Sequence, residues 1–385
     1  MNKGNFKGIV SVGNKFHAYY TSRALLNNEM LIYLIAGKKI NNNMIPNKYI
    51  HNIQIPQYLG GIIRRFSKNF SYNLVSDVLF DKLARFKIKK DIDFFIGFNN
   101  YVLEQIKKLR KSNTVIILDQ RTAHGNVERQ VGIEESGKIP INLSNKMMRR
   151  KEKEIDLADY ILVPSDFVFQ SMIENGISRE KLILLPYGYD PNLFYITKNK
   201  DYDDKLKLIF VGLIGHRKGC EYLLKAIKKI KQTNMNISLT MVGSVEKEFK
   251  DIFEEYREYI EYRGYVSNEE LIELYNESDI FILPSLCEGS ALVTYEAAAC
   301  GLPLIVTHNT GSIIENEKEG IIIKERDVDA IEQAIIKLYE NINLRLEMRK
   351  NIIHKIKDYT WDKYEEKLIN IIRSKVEDKR KNKLI

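Results

Sequence analysis

The sequence contains few cysteines and prolines and no long hydrophobic run. Among its 385 residues are only three cysteines and eight prolines. Cys220, Cys287 and Cys300 form neither a C-x-x-C pair nor an even set, which argues against a disulfide framework. No run of 18 apolar residues occurs, and residues 1–13 lack the hydrophobic core of a secretory signal. We therefore expect a cytoplasmic, reduced protein that contacts the inner face of the cell membrane at most peripherally.

The chain is too long for one ordinary domain and its composition, 44% hydrophobic and 29% charged, is that of a globular protein. Short apolar runs alternate with amphipathic helical stretches, a pattern typical of parallel α/β sheets, and the pattern occurs twice. A polar break covers residues 190–205. We predict two Rossmann-like, doubly wound α/β domains facing a cleft, over residues 1–195 and 196–360. Residues 361–385 are expected to form a C-terminal helix that packs back on the first domain.

The net charge of +9 is unevenly distributed. Residues 1–195 contain 29 Lys and Arg against 18 Asp and Glu, whereas residues 196–385 contain 31 against 33. Residues 64–90 alone hold eight basic and two acidic residues, with apolar side chains between them. Such a surface suits an anionic membrane or an anionic lipid-linked substrate, and a solvated basic face is the alternative. No pattern of a known nucleic-acid-binding module is present, so we expect no nucleic acid as partner.

The most informative segment, residues 284–306, reads PSLCEGSALVTYEAAACGLPLIV. A buried strand leads into a loop with Glu288, and a helix is expected to follow from about Ser290. Backbone N–H groups at a helix start suit a phosphate, and a loop carboxylate can accept hydrogen bonds from sugar hydroxyls. Glu296, eight positions after Glu288, would suit a ribose diol. The alternative is that both glutamates are capping or surface residues.

A second segment, residues 210–226, reads FVGLIGHRKGCEYLLKA. A predicted strand ends at Gly212, and Arg217 and Lys218 come at the start of a helix. Two cations at a helix N-terminus form a cradle for a diphosphate without a metal, although exposure to solvent explains them equally well. The spacing of a Walker loop, G-x-x-x-x-G-K-[ST], is absent. Since both segments follow strands of one parallel sheet, we expect them to meet at the same edge.

With these motifs in order, the chain resembles the retaining glycosyltransferases of family 4, which have the GT-B fold. The matching stretches include EIDLADYILVPSDFV, GISREKLILLPYGYDPNLF and GYVSNEELIELYNESDIFILPS. The resemblance implies that Glu288 contacts the donor sugar, Glu296 the ribose, and Arg217 and Lys218 the diphosphate. It also implies transfer with retention, a nucleotide-sugar co-substrate, no other cofactor and no essential metal.

Further residues are expected to bind the donor through backbone or small side-chain contacts. They are Gly13, Gly212, Gly264, Tyr265, Val266, Gly289, Ser290, Ala291 and Leu292. The chain departs from the family twice. Leu213 stands where a basic residue is common, and Asn14 follows Gly13 where a second glycine is usual.

The N-terminal half contributes candidates around the segment DQRTAHGNVERQ, residues 119–130. The resemblance places His124 near the donor sugar and the reacting centre, while the alternative is a loop histidine bonded to backbone. His17 and Arg121 are weaker candidates for the acceptor side, and their spacing alone does not show that role.

Three Asp-x-Asp pairs raise the question of a metal-dependent transfer. They are Asp91/Asp93, Asp201/Asp203 and Asp327/Asp329. None ends a buried strand, where a pair that holds a metal-bound diphosphate belongs, so we predict no metal site.

Together these observations predict a glycosyltransferase that moves a hexose-type sugar from a UDP- or GDP-sugar to a hydroxyl group. The acceptor is expected to be a saccharide or a lipid-linked molecule of surface polysaccharide or lipopolysaccharide synthesis. A soluble small-molecule acceptor and a sugar-nucleotide epimerase on the same fold are the alternatives among enzymes. An inactive scaffold is the alternative outside them, although it would be expected to have lost Glu288 or Lys218.

Overall fold

The computed structural model describes residues 6–39, 44–56, 72–139, 143–197 and 204–381, and it contains two parallel sheets. The first sheet has seven strands. They are β1 (Gly8–Val12), β2 (Leu31–Ala36), β3 (Ile50–Asn52), β4 (Phe94–Phe98), β5 (Val115–Asp119), β6 (Tyr160–Val163) and β7 (Leu182–Leu184). Their order, β3-β2-β1-β4-β5-β6-β7, reverses between β1 and β4. This reversal is the point where ligands bind in open α/β sheets.

Helices cover both faces of this sheet. They are α1 (Ala18–Asn27), α2 (Tyr72–Lys87), α3 (Leu103–Leu109), α4 (Gly125–Ser136), α5 (Asn145–Leu157) and α6 (Asp166–Glu174). Every residue of β1, β4 and β5 is buried. These strands are continuous apolar runs because parallel strands are covered on both faces.

The second sheet has six parallel strands. They are β8 (Leu206–Val211), β9 (Ile237–Val242), β10 (Glu261–Gly264), β11 (Ile280–Leu283), β12 (Leu304–Thr307) and β13 (Gly320–Ile323). The order β10-β9-β8-β11-β12-β13 reverses between β8 and β11. The two segments selected from the sequence therefore follow the two strands that flank this reversal.

Helices again alternate with the strands. They are α7 (Cys220–Lys231), α8 (Lys250–Glu255), α9 (Asn268–Glu277), α10 (Leu292–Ala299), α11 (Val328–Glu340), α12 (Ile342–Lys355) and α13 (Trp361–Lys381). The doubly wound α/β architecture predicted from the alternating pattern is confirmed. The edge strand β3 (Ile50–Asn52) has only three residues and no apolar run that would predict it from the sequence.

Helix α13 returns to the first domain. The Trp361 ring stacks on Tyr20 with centroids 3.9 Å apart, and the Tyr364 hydroxyl lies 3.1 Å from that of Thr21. The two chain segments that run between the domains pair with each other. Tyr189 N donates to the Tyr359 carbonyl at 3.0 Å, and Trp361 N donates to the Tyr189 carbonyl at 3.1 Å. The helix and the paired crossings thus connect the two sheets side by side.

Candidate functional site

The cationic turn after β8 depends on one glycine. Residues His216–Lys218 form a 3-10 turn that ends at Gly219, whose φ is +67°. A Cβ at Gly219 would lie 2.0 Å from the Pro284 carbonyl oxygen, so no other residue fits without a shift of the backbone. The sequence prediction that Arg217 and Lys218 open the helix is wrong in detail. Because of this close approach, the two residues form a separate 3-10 turn, and α7 begins only after Gly219. The same approach brings the turn against the loop that follows β11.

Glu288 receives both cations of this turn. Lys218 Nζ lies 2.9 Å from Glu288 Oε1, and Arg217 Nη1 contacts the same oxygen. Arg217 Nη1 also donates to the Cys287 carbonyl at 2.9 Å. Lys218 is buried, whereas the Arg217 side chain is 49% exposed, so only Arg217 extends into solvent. The structure therefore brings together the three charged residues that the sequence assigned to one pocket.

The loop after β12 holds Glu288 in place. Glu288 N donates to the Asn309 carbonyl at 2.9 Å, and Asn309 Nδ2 donates to the Leu286 carbonyl at 3.0 Å. The Ala291 N–H donates to the Thr310 carbonyl at 3.2 Å, and α10 begins at Leu292. The expectation of a helix from about Ser290 is therefore wrong, since residues up to Ala291 pair with the neighbouring loop. The Ala291 N–H is engaged within the protein in this structure.

Glu296 lies in the second turn of α10. Its Oε2 accepts a hydrogen bond from the Tyr275 hydroxyl at 3.2 Å. Burial raises the pKa of Glu296 to about 7, and the bond from Tyr275 opposes this shift. A carboxylate in this position can accept bonds from a diol once it is ionised, and the ribose role remains a prediction.

The glycines that the sequence assigned to donor binding lie at or just after strand ends. Gly264 has φ +66° at the end of β10, and the following Tyr265 is 92% exposed. Gly212 has φ +146° at the end of β8, and a Cβ there would lie 3.6 Å from Lys218 Cε. Gly13 packs against the ring of Tyr101, where a Cβ would lie 2.0 Å from Cδ1. Gly264 and Gly212 have backbone conformations that favour glycine, whereas at Gly13 the nearby ring leaves no room for a side chain. Their contacts with a donor stay a prediction, as do those of Val266 and Leu292.

His124 caps α4 on the opposite domain. Its Nδ1 accepts a hydrogen bond from Asn126 N at 3.3 Å, and its own N–H donates to Ser171 Oγ at 3.0 Å. Burial lowers the pKa of the imidazole, so the ring is neutral near pH 7. Because Nδ1 accepts, Nε2 carries the proton and can donate to a hydroxyl group. The backbone bond that was the alternative explanation is present, and it is compatible with a role toward the sugar.

His17 lies in a different environment from the one expected. Its Nε2 is 2.9 Å from Asp119 Oδ2, and both side chains are 5% exposed. The rings of Phe98, Tyr187 and Trp361 surround it. This burial beneath α13 favours a structural role, and contact with an acceptor is not favoured by the geometry.

Arg121 lies above an aromatic surface at the end of β5. Its guanidinium carbon is 3.5 Å from the centroid of the Phe16 ring, and Nη2 donates to the Asn99 carbonyl at 3.4 Å. The side chain is only partly buried. A cation held over a ring in this way remains available to an anionic or hydroxyl group, so the acceptor-side prediction stands for Arg121.

The two domains touch at the loop that carries Glu288. A Cβ at Gly289 would lie 1.6 Å from the Arg121 carbonyl oxygen. Ser165 Oγ donates to the Gly289 carbonyl. Away from this contact, Arg326 forms ion pairs of 2.6 Å with Glu134 and with Glu135. The loop that carries Glu288 therefore packs directly on the domain that holds His124 and Arg121.

Three residues of the Asp-x-Asp pairs have structural partners. Asp93 Oδ2 accepts from Lys7 N at 2.8 Å, and Asp327 caps α11 by accepting from Ala330 N at 2.8 Å. Asp329 pairs with Lys229 at 2.6 Å, while residues 201 and 203 lie outside the described part of the chain. Within the described ranges, no group of three His, Cys, Asp or Glu side chains is arranged to hold a metal ion.

The predicted basic segment is only partly described. Residues 64–71 lie outside the described ranges, and residues 72–90 contain the whole of α2. Of the helices that the structure describes, none has the length and apolar character needed to span a membrane.

Three residues that hold the site were not selected from the sequence. Asn309 and Ser165 follow the predicted strands β12 and β6, so the rule that ligands gather at carboxyl ends of parallel strands pointed to both. Tyr275 lies inside α9 with no local signal, because its contact with Glu296 depends on how two helices pack.

Comparisons with known proteins give the family that part of the chain matches and the fold that the whole chain shares. Residues 193–355 match the family model described as glycosyl transferases group 1. Over 229 residues the chain is 28% identical to an uncharacterized glycosyltransferase of Methanocaldococcus jannaschii, an alignment covering 56% of each chain. Over 176 residues it is 31% identical to the capsular polysaccharide biosynthesis glycosyltransferase CapM of Staphylococcus aureus, covering 44% of this chain and 45% of the relative. The alignments therefore span about half the length of these curated relatives.

The fold resembles the crystal structure of WaaG, a glycosyltransferase involved in lipopolysaccharide biosynthesis. The TM-score is 0.64 at 16% identity, and the match covers 95% of this chain and 99% of that one. Residues 193–355 thus match the glycosyl transferases group 1 family, and the chain has the GT-B fold. The family resemblance and fold class predicted from the motifs are confirmed.

Proposed function

We propose that this protein is a retaining, metal-independent glycosyltransferase that uses a UDP- or GDP-sugar. The observation that carries the proposal is the contact of 2.9 Å between Lys218 Nζ and the Glu288 carboxylate, with Arg217 on the same oxygen. A carboxylate and two cations at the reversal point of a parallel sheet match a sugar diphosphate, which carries hydroxyls and negative charge side by side.

In this proposal the diphosphate binds to the cations. An ammonium group has three donors, so Lys218 can keep Glu288 while it contacts a phosphate oxygen. Arg217, being half exposed, can turn from Glu288 toward the second phosphate. Glu288 then orients the sugar hydroxyls, and Glu296 accepts bonds from the ribose.

The same residues stabilise the departing group. In an oxocarbenium-like transition state, negative charge grows on the leaving diphosphate, next to Lys218 and Arg217. Loss of one such donor typically costs about 3 kcal/mol. His124 Nε2–H faces the donor sugar in this assignment, and the leaving phosphate takes the proton of the acceptor hydroxyl on the same face of the sugar.

We further propose that the acceptor is a lipid-linked or saccharide molecule of surface polysaccharide or lipopolysaccharide synthesis. The excess of 11 positive charges in residues 1–195, from 29 basic and 18 acidic residues, supports an anionic acceptor at a membrane surface. The names of CapM and WaaG, both tied to surface polysaccharides, support the same class.

A thermal-shift screen across UDP- and GDP-sugars tests the donor site. A donor at a hundred times its Kd should add about 2.7 kcal/mol to the free energy of unfolding and raise the Tm. Lys218→Ala should abolish the shift, whereas Lys225→Ala, at an exposed cation on the following helix α7, should keep it. A folded sample that responds to no sugar nucleotide would contradict the proposal.

Transfer itself is tested with the donor found in that screen. Labelled sugar should appear on an acceptor with the anomeric configuration of the donor, and the rate should be the same with and without a chelator. Conversion of the donor in the absence of any acceptor would instead indicate an epimerase.

A further inference from the structure

A groove of about 590 Å³ lies between α2 and α5 on the first domain. Both helices pack on α3, which leaves the space between them open on one side. Four aliphatic side chains of α2 line the groove, and all are only partly buried. They are Leu74, Val75, Val78 and Leu79. The groove therefore presents a contiguous apolar floor that no other described side chain covers completely.

Beneath the floor, the buried charged side chains pair with one another. Arg150, which is 8% exposed or less, pairs with the buried carboxylate of Asp81 and lies 3.4 Å from Glu154 Oε1. These charges tie α2 to α5, so the groove is a fixed feature of the domain.

The rim of the groove is cationic. Lys146, Arg149 and Lys153 are spaced three and four residues apart on α5, which places them in one row, and Lys82 lies on α2. All four are exposed, and none takes part in an ion pair with any residue that the structure describes. The rim therefore has an uncompensated positive charge beside the apolar floor, and such a surface attracts anions.

The apolar stripe extends past the groove. Val75, Leu79, Lys82 and Phe86 are four, three and four residues apart on α2 and so share one face. Phe86 is 78% exposed. A large exposed aromatic ring in line with an apolar groove is typical of a surface that enters a membrane interface.

We propose that this groove docks the protein on an anionic phospholipid membrane. One acyl chain enters the floor, Phe86 inserts beside it, and the phosphates meet the row Lys146, Arg149 and Lys153. A second copy of this chain would bring the same positive rim against it, and a nucleic acid would leave the aliphatic floor unused. Only an anionic amphiphile matches both features.

The groove also shares a loop with the candidate active site. Arg150 Nε donates to the Asn100 carbonyl at 3.1 Å, and the neighbouring Asn99 carbonyl accepts from Arg121 Nη2. Docking would therefore bring the acceptor side of the cleft to the level of the lipid headgroups. The biological role of this docking rests on the proposed function, but the experiments that test it do not require sugar transfer.

The first experiment measures insertion directly. All three native cysteines are buried, so Val78→Cys provides a single accessible thiol for an environment-sensitive fluorophore. The emission should shift to the blue with vesicles of phosphatidylglycerol and phosphatidylcholine and stay unchanged with phosphatidylcholine alone. A label already shielded without vesicles, or unchanged when the protein has bound, would overturn the proposal.

The second experiment separates charge from apolar contact by vesicle flotation. Arg149→Gln with Lys153→Gln should weaken binding about thirtyfold at low salt, since each cation near an anionic surface contributes about 1 kcal/mol. The matched control, Lys350→Gln with Lys357→Gln, removes the same charge from the second domain and should bind as the wild type does. Leu79→Glu should also weaken binding, whereas Leu346→Glu, at an exposed leucine of α12, should not.

Equal binding of the two double variants, or equal binding to neutral and anionic vesicles, would overturn the groove assignment. The wild-type sample used for flotation also enters the donor thermal-shift screen. A sample that responds to a donor but not to vesicles leaves the proposed function intact. A sample that binds vesicles but responds to no donor contradicts the proposed function and leaves the membrane-docking proposal intact.

Discussion

The two domains use buried charge differently at the same structural position, the carboxyl edge of a parallel sheet. In the first domain, Glu154 is fully buried and accepts from the backbone N–H groups of Val102 and Leu103, each at 3.0 Å. In the second domain, Glu288 accepts from side-chain cations, of which Arg217 is half exposed. A carboxylate bonded to backbone maintains the fold, whereas one bonded to a movable cation can exchange its partner for a ligand. We propose that this contrast separates charges that maintain the fold from charges that bind the ligand.

The largest effect should come from the structural carboxylate. Glu154→Ala removes the acceptor of three backbone N–H groups and one of the two carboxylates beside Arg150, so we expect a loss of about 3–5 kcal/mol in the free energy of unfolding. Denaturant unfolding measures it, with Glu152→Ala on the exposed face of α5 as control. A loss no larger than that of the control would remove the contrast between the two domains.

The next largest effect should come from Lys218, the cation proposed to bind the diphosphate. Lys218→Ala should lower kcat/KM about a hundredfold, because a donor to the developing charge is lost, with little change in unfolding. Steady-state kinetics with Lys225→Ala as control measure the effect. If stability fell as much as activity, Lys218 would belong with the structural charges.

A substitution that disturbs the contact between the domains should have a smaller effect. Gly289→Ala places a Cβ against the Arg121 carbonyl, and such overpacking typically costs about 2 kcal/mol. The arrangement in which the two domains touch at Gly289 should then be populated some thirtyfold less. The variant should show a larger radius of gyration in solution scattering and a lower kcat. Gly132→Ala, inside α4, is the control, and an unchanged radius together with unchanged kcat would show that closure does not depend on this contact.

The last effect is expected from pH. The folded-state pKa of Glu296 is raised from 4.5 to about 7, so its charge disfavours folding, with the penalty growing between these values and complete above pH 7. Glu296→Gln should therefore gain stability relative to the wild type as the pH rises through this window. Donor affinity should show the opposite trend and rise with pH in the wild type only, since the ionised form accepts from a diol. A donor affinity with the same pH profile in both proteins would count against the ribose role.

Much of the donor site could be predicted because its residues follow buried strands. Glu288 comes after β11, and Lys218 comes after β8, so the rule for parallel sheets was enough to bring them together. The local backbone was harder to predict. Neither the 3-10 turn at His216–Lys218 nor the start of α10 at Leu292 follows from residue type, because each is set by a contact with another loop.

The acceptor side was predicted less well. His17 and Arg121 are both near strand ends, yet one lies within an aromatic cluster and the other over a ring at the cleft. The difference comes from α13, which arrives from the far end of the chain and covers His17. Sequence spacing carries no information on which of two strand-end residues a distant helix will bury.

By itself, the sequence determined the two α/β domains, the strand ends at which ligands gather and the charged residue types available there, since periodicity and strand–loop order are local properties. The tertiary structure alone decided which charges are exposed and which are buried, that Gly289 meets the Arg121 carbonyl, and that α2 and α5 leave an open groove. Those features depend on distances between segments far apart in the chain, which only the packing of the whole molecule sets.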